Sequence, residues 1–246
     1  MPSILPQVRI WDSLLLVYNS INVRLLDRSG RSQHFVHFLS DKEVQDGISS
    51  FRHFPSLVED LTSGRANLQY EIHRVERKLT SLTPMNEEMY WPSPDDTREE
   101  MDLLAAPGIY DSIFVLWPQH NFRDGISVRS AGWGLGMAAS VWSNGATYAA
   151  VGNTESWRWK IGVAGEIWLH EWLHGVCAYF ASRGHVMPYG DADGGARHGY
   201  VHSPTSGWTG YYRDLMTGNV LDGGRPTGIG VDAWLCPSPR HSPISA

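Results

Sequence analysis

The chain of 246 residues has few features that would restrict its compartment. Its two cysteines, Cys177 and Cys236, can form one disulfide but not a disulfide framework, so cysteine usage leaves the redox compartment open. No apolar run approaches the roughly 20 residues that a membrane helix needs. The N-terminal apolar run at 14–18 is short and follows Asp12, unlike a signal peptide. We therefore expect no membrane association, and either a cytoplasmic protein or a secreted one whose leader is absent from this sequence.

Basic sequence is also scarce. Lys and Arg number 20 against 26 Asp and Glu, which gives a formal net charge of -6 and a pI near 6.0. No long run of Lys or Arg occurs, so nucleic acid is not expected as a partner. The chain is instead rich in hydrophobic residues (42%) and in Trp, of which it has eleven, so it can bury a sizeable core as a single domain. Most of the Trp are expected in that core, and some can line a cleft.

The apolar pattern of the first half predicts strands at 8–18 and 21–26 and a buried strand at 110–117. Between them, Ser40 and Glu43 have the spacing of a capping box, which predicts a helix that continues to about residue 62. Pro55 is expected to interrupt this helix because proline lacks a backbone N–H. Residues 84–108 hold several Pro, Asp and Glu and are expected to form a surface excursion.

The second half predicts a different arrangement. The glycine-rich residues 125–136 are expected to form a loop, and residues 140–151 a hairpin with an Asn-Gly turn. A long helix follows at about 156–183, with Gly184 suited to its C-terminal cap. Because its apolar residues are spread around its circumference, this helix is expected to be buried.

Within this helix, residues 170–174 read His-Glu-Trp-Leu-His. Two histidines four residues apart are separated by roughly 40° around a helix, so His170 and His174 can bind one ion. Glu171 lies beside that ion, where it can accept a proton from a metal-bound water. Zinc lowers the pKa of such a water toward about 7. The motif therefore predicts a Zn²⁺ site with Glu171 as the general base.

Through His170, Glu171 and His174 the chain resembles the zincin superfamily of zinc metallopeptidases, over about residues 140–220. The resemblance implies an α+β, zincin-like catalytic domain with a mixed sheet packed on the long buried helix and an irregular C-terminal part. We expect one domain over 1–246, with an N-terminal α/β part at 1–110 and the metal-site part at 110–246. Zincins also have an edge strand that aligns the substrate, expected here within the predicted hairpin.

The residues after the motif narrow the branch of the superfamily. Thermolysin-like zincins take their third ligand from a downstream Glu, and no Glu follows Glu171 in this chain. Metzincins extend the motif with a Gly and then a His or Asp, but Cys177 and Phe180 stand at those positions. The chain therefore resembles a metzincin-like or divergent zincin.

The third ligand is expected after the helix. Zinc accepts imidazole nitrogen or carboxylate oxygen, so chemistry does not choose among the candidates. We favour Asp193, in a Gly- and Asp-rich loop that can fold back over the site, although a solvated turn is the alternative there. His202 is the main alternative ligand, followed by His198. Further candidates are His185, Asp191 and Asp214.

Residues 211–218 resemble the Met-containing turn that metzincins place beneath the metal. Met216 is accordingly the base of the site or a core residue on a short helix. Tyr212, or Tyr211, is a candidate donor to the oxyanion of a tetrahedral intermediate, with a packed aromatic pair as the alternative. Cys177 is expected as a small buried residue, with a fourth zinc ligand as the alternative.

These residues predict a zinc-dependent hydrolase, a peptidase that acts on a peptide or protein. One alternative is a zincin-like binding or interaction domain whose metal is structural or absent, and another is a zinc hydrolase acting on a non-peptide bond. Glu171 argues against the binding domain, because a purely structural site needs no general base. The oligomeric state is not determined by the sequence.

Overall fold

A computed structural model describes residues 8–26 and 29–242 and shows an α+β fold built on a mixed sheet. It has four α-helices and several short 3-10 turns within the described residues. The strands and helices are β1 (Arg9–Tyr18), β2 (Ser20–Leu26), β3 (Ser32–Phe38), α1 (Asp41–Leu61), β4 (Ala66–Val75), β5 (Thr83–Pro84), β6 (Tyr90–Trp91), α2 (Arg98–Leu104), β7 (Ser112–Trp117), β8 (His120–Asn121), β9 (Ile126–Ser127), β10 (Gly134–Met137), β11 (Thr147–Gly152), α3 (Glu166–Ala181), α4 (Thr209–Thr217), β12 (Val220–Asp222) and β13 (Arg225–Thr227).

Five strands form the central sheet in the order β10-β11-β7-β1-β4. The strands β11, β7, β1 and β4 run parallel to one another, and β10 pairs antiparallel with β11 at the edge. Strands β1 and β4 come from residues 1–110, and the other three come from residues 110–246. The predicted N-terminal part and metal-site part therefore contribute to one sheet.

Both faces of this sheet are covered. In β1, Leu15 and Val17 pack on one face and Leu14 and Leu16 on the other. The first face buries residues of α1, α3 and α4, and the second those of the β2–β3 hairpin and α2. A parallel sheet buried on both faces needs continuous apolar strands, which explains why the predicted strand at 110–117 is almost entirely apolar.

The predicted cap of α1 is confirmed. The Ser40 hydroxyl accepts the Glu43 N–H at 3.3 Å, and the Glu43 carboxylate accepts the Ser40 N–H at 2.8 Å. The predicted interruption at Pro55 is wrong, because α1 continues past it to Leu61. Burial of the helix face that includes Phe51 outweighs the one backbone hydrogen bond that proline removes.

The prediction of a surface excursion at 84–108 is wrong for much of that segment. Trp91 and Met101 are buried in the part of the core that covers the second face of the sheet. The polar residues organise turns: the carboxylate of Asp96 accepts the backbone N–H groups of Ser93 and Thr83, each at 2.9 Å. Polar composition here reflects internal hydrogen bonding, which sequence does not distinguish from exposure.

The predicted hairpin at 140–151 is wrong in its first half. After Ser140 the chain makes a short 3-10 turn, and only β11 is a strand. Its antiparallel partner is β10, in the glycine-rich segment predicted as a loop. Glycine is required there because a Cβ at Gly136 would lie 1.9 Å from the carbonyl oxygen of Glu171. The edge strand thus packs directly on the helix that carries the histidines.

Helix α3 begins at Glu166, later than the predicted start at residue 156. Gly162 and Gly165 have φ values of 68° and 92°, and this left-handed backbone ends any helix that approaches them. Twelve of the sixteen residues of α3 are buried, which confirms that the helix is buried on most of its faces.

Two further predictions concern the chain as a whole. Cys177 is buried and Cys236 exposed, and both are free, so the possible disulfide is not formed. The burial of Cys177 agrees with the prediction of a small buried residue. Among the described residues, no helix has both the length and the apolar character to cross a bilayer.

Candidate metal centre

Three side chains converge beside the edge strand. The Nε2 atom of His170 lies 3.4 Å from Oδ1 of Asp193, and Nε2 of His174 lies 3.8 Å from Oδ2 of the same carboxylate. One ligand atom from each residue can be chosen so that all lie within 4.8 Å of one another. Imidazole nitrogen and carboxylate oxygen are ordinary zinc ligands. These residues can therefore hold a metal ion between them.

The two histidines are held in place by the anchorage of α3. The indole N–H of Trp172, which lies between them in sequence, donates to the Ser112 hydroxyl of β7 at 2.9 Å. This bond and the burial of the Trp172 ring fix the rotation of the helix against the sheet. Because the histidines are four residues apart, both then face the same cavity.

Asp193 reaches the histidines because the chain reverses after α3. Gly190 and Asp191 have positive φ values of 90° and 34°, and residues 191–194 form a 3-10 turn over the site. The hydroxyl of Tyr211 donates to the carbonyl oxygen of Asp191, which ties this turn to α4. A Cβ at Gly194 would lie 2.4 Å from that hydroxyl, so the close approach requires glycine.

Each histidine has a polar partner on its other ring nitrogen. Nδ1 of His174 lies 2.7 Å from Oδ1 of Asp191, and Nδ1 of His170 lies 2.9 Å from the hydroxyl oxygen of Tyr212. Such partners fix the ring orientation and leave Nε2 free for a metal. Asp191 thus orients His174, a role that sequence reasoning missed. The only signal was its position two residues before Asp193.

Burial changes the protonation of the histidines. Burial, together with the nearby His174, lowers the pKa of His170 to about 4, so His170 is neutral at pH 7. Burial also acts to lower the pKa of His174, but the hydrogen bond and the charge of Asp191 outweigh it, and the pKa is raised. A neutral imidazole is the form that ligates a metal.

Glu171 is a buried carboxylate at the same cavity. Its side chain is 4% exposed, and its Oε1 lies 4.0 Å from Nε2 of His170. Burial raises the pKa of Glu171 to about 8 against the opposing attraction of His174. A nearby cation lowers the pKa of a carboxyl group, so a metal on the histidines favours the charged form of Glu171.

The cavity in front of these groups has a volume of about 650 Å³. Strand β10 forms one wall, and Trp133, just before it, has its ring 5.2 Å from the His170 ring. Trp208 lines the other side. Trp133 and Trp208 thus line a cleft, as expected for some of the Trp. Five other indoles are fully buried in the core, also as expected: Trp11, Trp117, Trp168, Trp172 and Trp234.

The other candidate ligands lie outside this cluster. His202 packs against the Trp208 ring at 5.4 Å. His198 has both ring nitrogens near backbone carbonyl oxygens, at 3.2 and 3.0 Å. His185 packs against the Phe180 ring at 5.5 Å, and Asp214 accepts a hydrogen bond from the Tyr200 hydroxyl.

Helix α4 carries Met216, the residue expected at the base of the metal site, and the two candidate oxyanion donors Tyr211 and Tyr212. Met216 is fully buried in the last turn of α4, so it is a core residue on a short helix and not part of a Met-containing turn. The Tyr211 hydroxyl is hydrogen-bonded to the carbonyl oxygen of Asp191, and the Tyr212 hydroxyl to Nδ1 of His170. The predicted oxyanion role of Tyr212 stays a prediction, and Tyr212 does line the cavity.

The chain matches no protein-family model and no curated protein. Its function is therefore inferred from the site. Two histidines and a carboxylate offer three protein ligands, and all three line the cavity of about 650 Å³. The buried carboxylate of Glu171 lines the same cavity.

Proposed function

We propose that this chain is a zincin-like, zinc-dependent hydrolase that cleaves peptide bonds. His170, His174 and Asp193 hold the zinc ion, and Glu171 is the general base. The observation that carries the proposal is the convergence of these three ligands within 4.8 Å at the wall of an open cavity, next to a buried carboxylate.

The donor set fits a catalytic zinc ion. Catalytic zinc sites have three protein ligands and keep one position open, whereas structural sites are closed by four. Here Cys177, the possible fourth ligand, is buried and is not part of the cluster among the described residues. The partners on Nδ1 of both histidines are the second requirement of a zinc site.

When bound, a zinc ion acts as a Lewis acid and lowers the pKa of a coordinated water toward about 7. Glu171 holds the proton that such a water loses and delivers it to the leaving amine. Its burial keeps bulk water away from that proton. Tyr212 accepts the Nδ1–H of His170 and so keeps Nε2 unprotonated.

A peptide substrate is supported by β10. This strand lies at the edge of the sheet, and one of its sides borders the cavity. An exposed strand edge offers backbone N–H and C=O groups that pair with an extended chain. Zincin-like hydrolysis of a non-peptide bond uses the same groups but has no need of this edge.

The test measures zinc and cleavage separately. Purified protein is analysed for metal by mass spectrometry beside His170→Ala, with His202→Ala as the matched histidine control. We expect about one zinc per chain, lost in His170→Ala and kept in His202→Ala. Zinc-loaded protein is then incubated with a mixture of peptides, and Glu171→Gln is expected to retain zinc and lose cleavage.

Each outcome has a distinct meaning. If the protein binds no zinc even after incubation with it, both the metal site and the peptidase activity are wrong, and the zincin-like binding domain becomes the better proposal. If it binds zinc but cleaves no peptide, the metal site stands and the peptidase activity is wrong. Cleavage by Glu171→Gln would remove Glu171 from the role of base.

A further inference from the structure

A second cavity of about 330 Å³ adjoins the metal site. The two cavities share Gly132 and Trp133 as a common wall. The rings of Trp133 and His170 meet edge-on, with their centroids 5.2 Å apart, and Trp133 also lines the second cavity. One indole therefore contacts a candidate ligand and lines the second cavity.

Helix α3 connects the two cavities. Glu166 and Ile167 line the second cavity, and they precede His170 by four and three residues. Residues at these spacings lie on the same helix face, one turn or 5.4 Å along the axis. An extended chain advances about 3.3 Å per residue. A substrate side chain next to the bond at the metal site can therefore reach this cavity.

The exposed part of the lining includes large apolar side chains. Trp157 and Ile161 are 54% and 42% exposed, large fractions for apolar side chains, and both border the cavity together with Ile167. Trp157 and Ile161 come from the segment between β11 and α3, and Ile167 is in the first turn of α3. The indole N–H of Trp157 donates to the Glu155 carboxylate at 3.0 Å, and the exposed apolar surface is that of its ring and of Ile161.

The charged residues of the cavity do not select a charged ligand. The Glu166 carboxylate is buried and accepts the backbone N–H groups of Trp208 and Val163. Arg158 is exposed and lies over the ring of Trp157, with its guanidinium carbon 5.4 Å from the ring centroid.

His120 also lines the cavity, and its Nδ1 lies 2.8 Å from the Ser127 hydroxyl oxygen. The side-chain amides of Gln119 and Asn153 donate to backbone carbonyl oxygens. Most charged and polar groups of the lining are thus bonded within the chain.

We propose that this second cavity is a specificity pocket that receives a large neutral side chain, aromatic or long aliphatic, from the residue adjacent to the cleaved bond. Ile161 is a residue that sets the size limit of the pocket. The proposal rests on the proposed peptidase function and adds the class of substrate side chain.

The experiment measures binding of peptide hydroxamates, which chelate zinc, to the zinc-loaded protein by calorimetry. Two series carry the varied residue on either side of the chelating group, with Ala, Leu, Phe, Lys or Glu at that position. Acetohydroxamate reports chelation alone. We expect Leu or Phe in one series to bind roughly tenfold to hundredfold tighter than Ala, and Lys and Glu to bind no tighter than Ala.

Two variants assign this preference to the pocket. Ile161→Trp fills the cavity and is expected to remove the gain for Phe and Leu while leaving acetohydroxamate affinity unchanged. Leu103→Trp, at an exposed position on α2, is the matched control and should keep the gain. Ile161→Glu places a carboxylate in the pocket and is expected to make Lys the preferred residue.

The outcomes separate this proposal from the proposed function. Absence of any side-chain preference, or the same preference in Ile161→Trp, overturns the specificity pocket while the metal site stands. Failure of acetohydroxamate to bind indicates that the metal site itself is wrong. In that case N-acetylphenylalanine amide, which does not chelate, decides the pocket: binding that Ile161→Trp abolishes supports it, and no binding overturns it.

Discussion

The Nδ1 atom of His174 lies 2.7 Å from the carboxylate of Asp191, two residues before the candidate ligand Asp193. One short turn therefore supplies both a residue that orients a histidine and a residue that faces the metal position. The two carboxylates contact different atoms: Asp191 lies against Nδ1 of His174, and Asp193 lies against Nε2 of both histidines.

Replacement of Asp191 is expected to weaken zinc binding without removing a ligand. Asp191→Asn keeps the side-chain shape and tolerates the left-handed backbone, but it removes the negative charge beside His174. Loss of such a partner lowers metal affinity about 10- to 100-fold. Competition with a chromophoric chelator measures the affinity, with Asp214→Asn as the control. Unchanged affinity in Asp191→Asn would show that this carboxylate does not support the metal site.

Replacement of Asp193 is expected to have a larger effect. Asp193→Ala removes one of three ligands, so the zinc affinity should fall further than in Asp191→Asn. The same titration on His202→Ala should give the wild-type affinity, because His202 packs on Trp208 and is not part of the ligand cluster. If His202→Ala lost zinc and Asp193→Ala kept it, the third ligand would be His202.

The hydroxyl of Tyr212 is expected to affect both zinc binding and cleavage. Tyr212→Phe removes the hydrogen bond to Nδ1 of His170, so zinc affinity should fall roughly tenfold. If the hydroxyl also stabilises an oxyanion, peptide cleavage at saturating zinc should fall by a further factor of about 100. Wild-type cleavage at saturating zinc would restrict Tyr212 to orienting His170.

Glu171 is expected to make the metal-free protein less stable as the pH rises. Its folded-state pKa of about 8 lies above the ordinary value of 4.5, so its stabilising contribution is complete below pH 4.5 and is lost as the pH rises through 8. The free energy of unfolding should fall relative to Glu171→Gln by at most about 1.4 kcal/mol per pH unit.

Denaturant titrations of both metal-free proteins between pH 5 and 8.5 measure this difference. His170, whose folded-state pKa is lowered, contributes the opposite slope below pH 6.5, but it does so in both proteins. The Glu171 charge contributes to the raised pKa of His174, so the comparison measures Glu171 together with its coupling to His174. Parallel curves for the two proteins would mean that burial does not raise the pKa of Glu171.

The contact between β10 and α3 is expected to depend on glycine. Gly136→Ala places a methyl group 1.9 Å from the carbonyl oxygen of Glu171, so the strand must move away from the helix. We expect a loss of more than about 2 kcal/mol in the free energy of unfolding. Gly210→Ala, in α4 with open space around it, should instead stabilise by up to about 1 kcal/mol. Equal effects of the two substitutions would contradict this packing.

Local sequence was sufficient for elements whose signal lies in a few neighbouring residues. The capping box of Ser40 and Glu43 and the apolar strand at 110–117 depend on short-range hydrogen bonding and on burial of a continuous run. The spacing of His170 and His174 likewise follows from helix periodicity alone. These features are local, so tertiary packing did not alter them.

Sequence failed where packing overrode the local signal. Glycines at 134 and 136 read as a loop, yet they lie in the edge strand, where a Cβ would meet the backbone of β11 at Gly134 and that of α3 at Gly136. Pro55 read as a helix break, yet the buried face of α1 keeps the helix continuous. In each case a contact between distant segments outweighed the preference of the residue itself.

The sequence by itself determined that one helix presents two histidines and a glutamate on a common side, and it narrowed the third ligand to the residues that follow. Only the tertiary structure brought Asp193 to the histidines and placed Asp191 and Tyr212 beside the Nδ1 atoms of His174 and His170. It also made Trp133 part of the lining of two cavities. The physical reason is that helix periodicity is a short-range property, whereas the path of a chain after a helix depends on the surfaces it packs against.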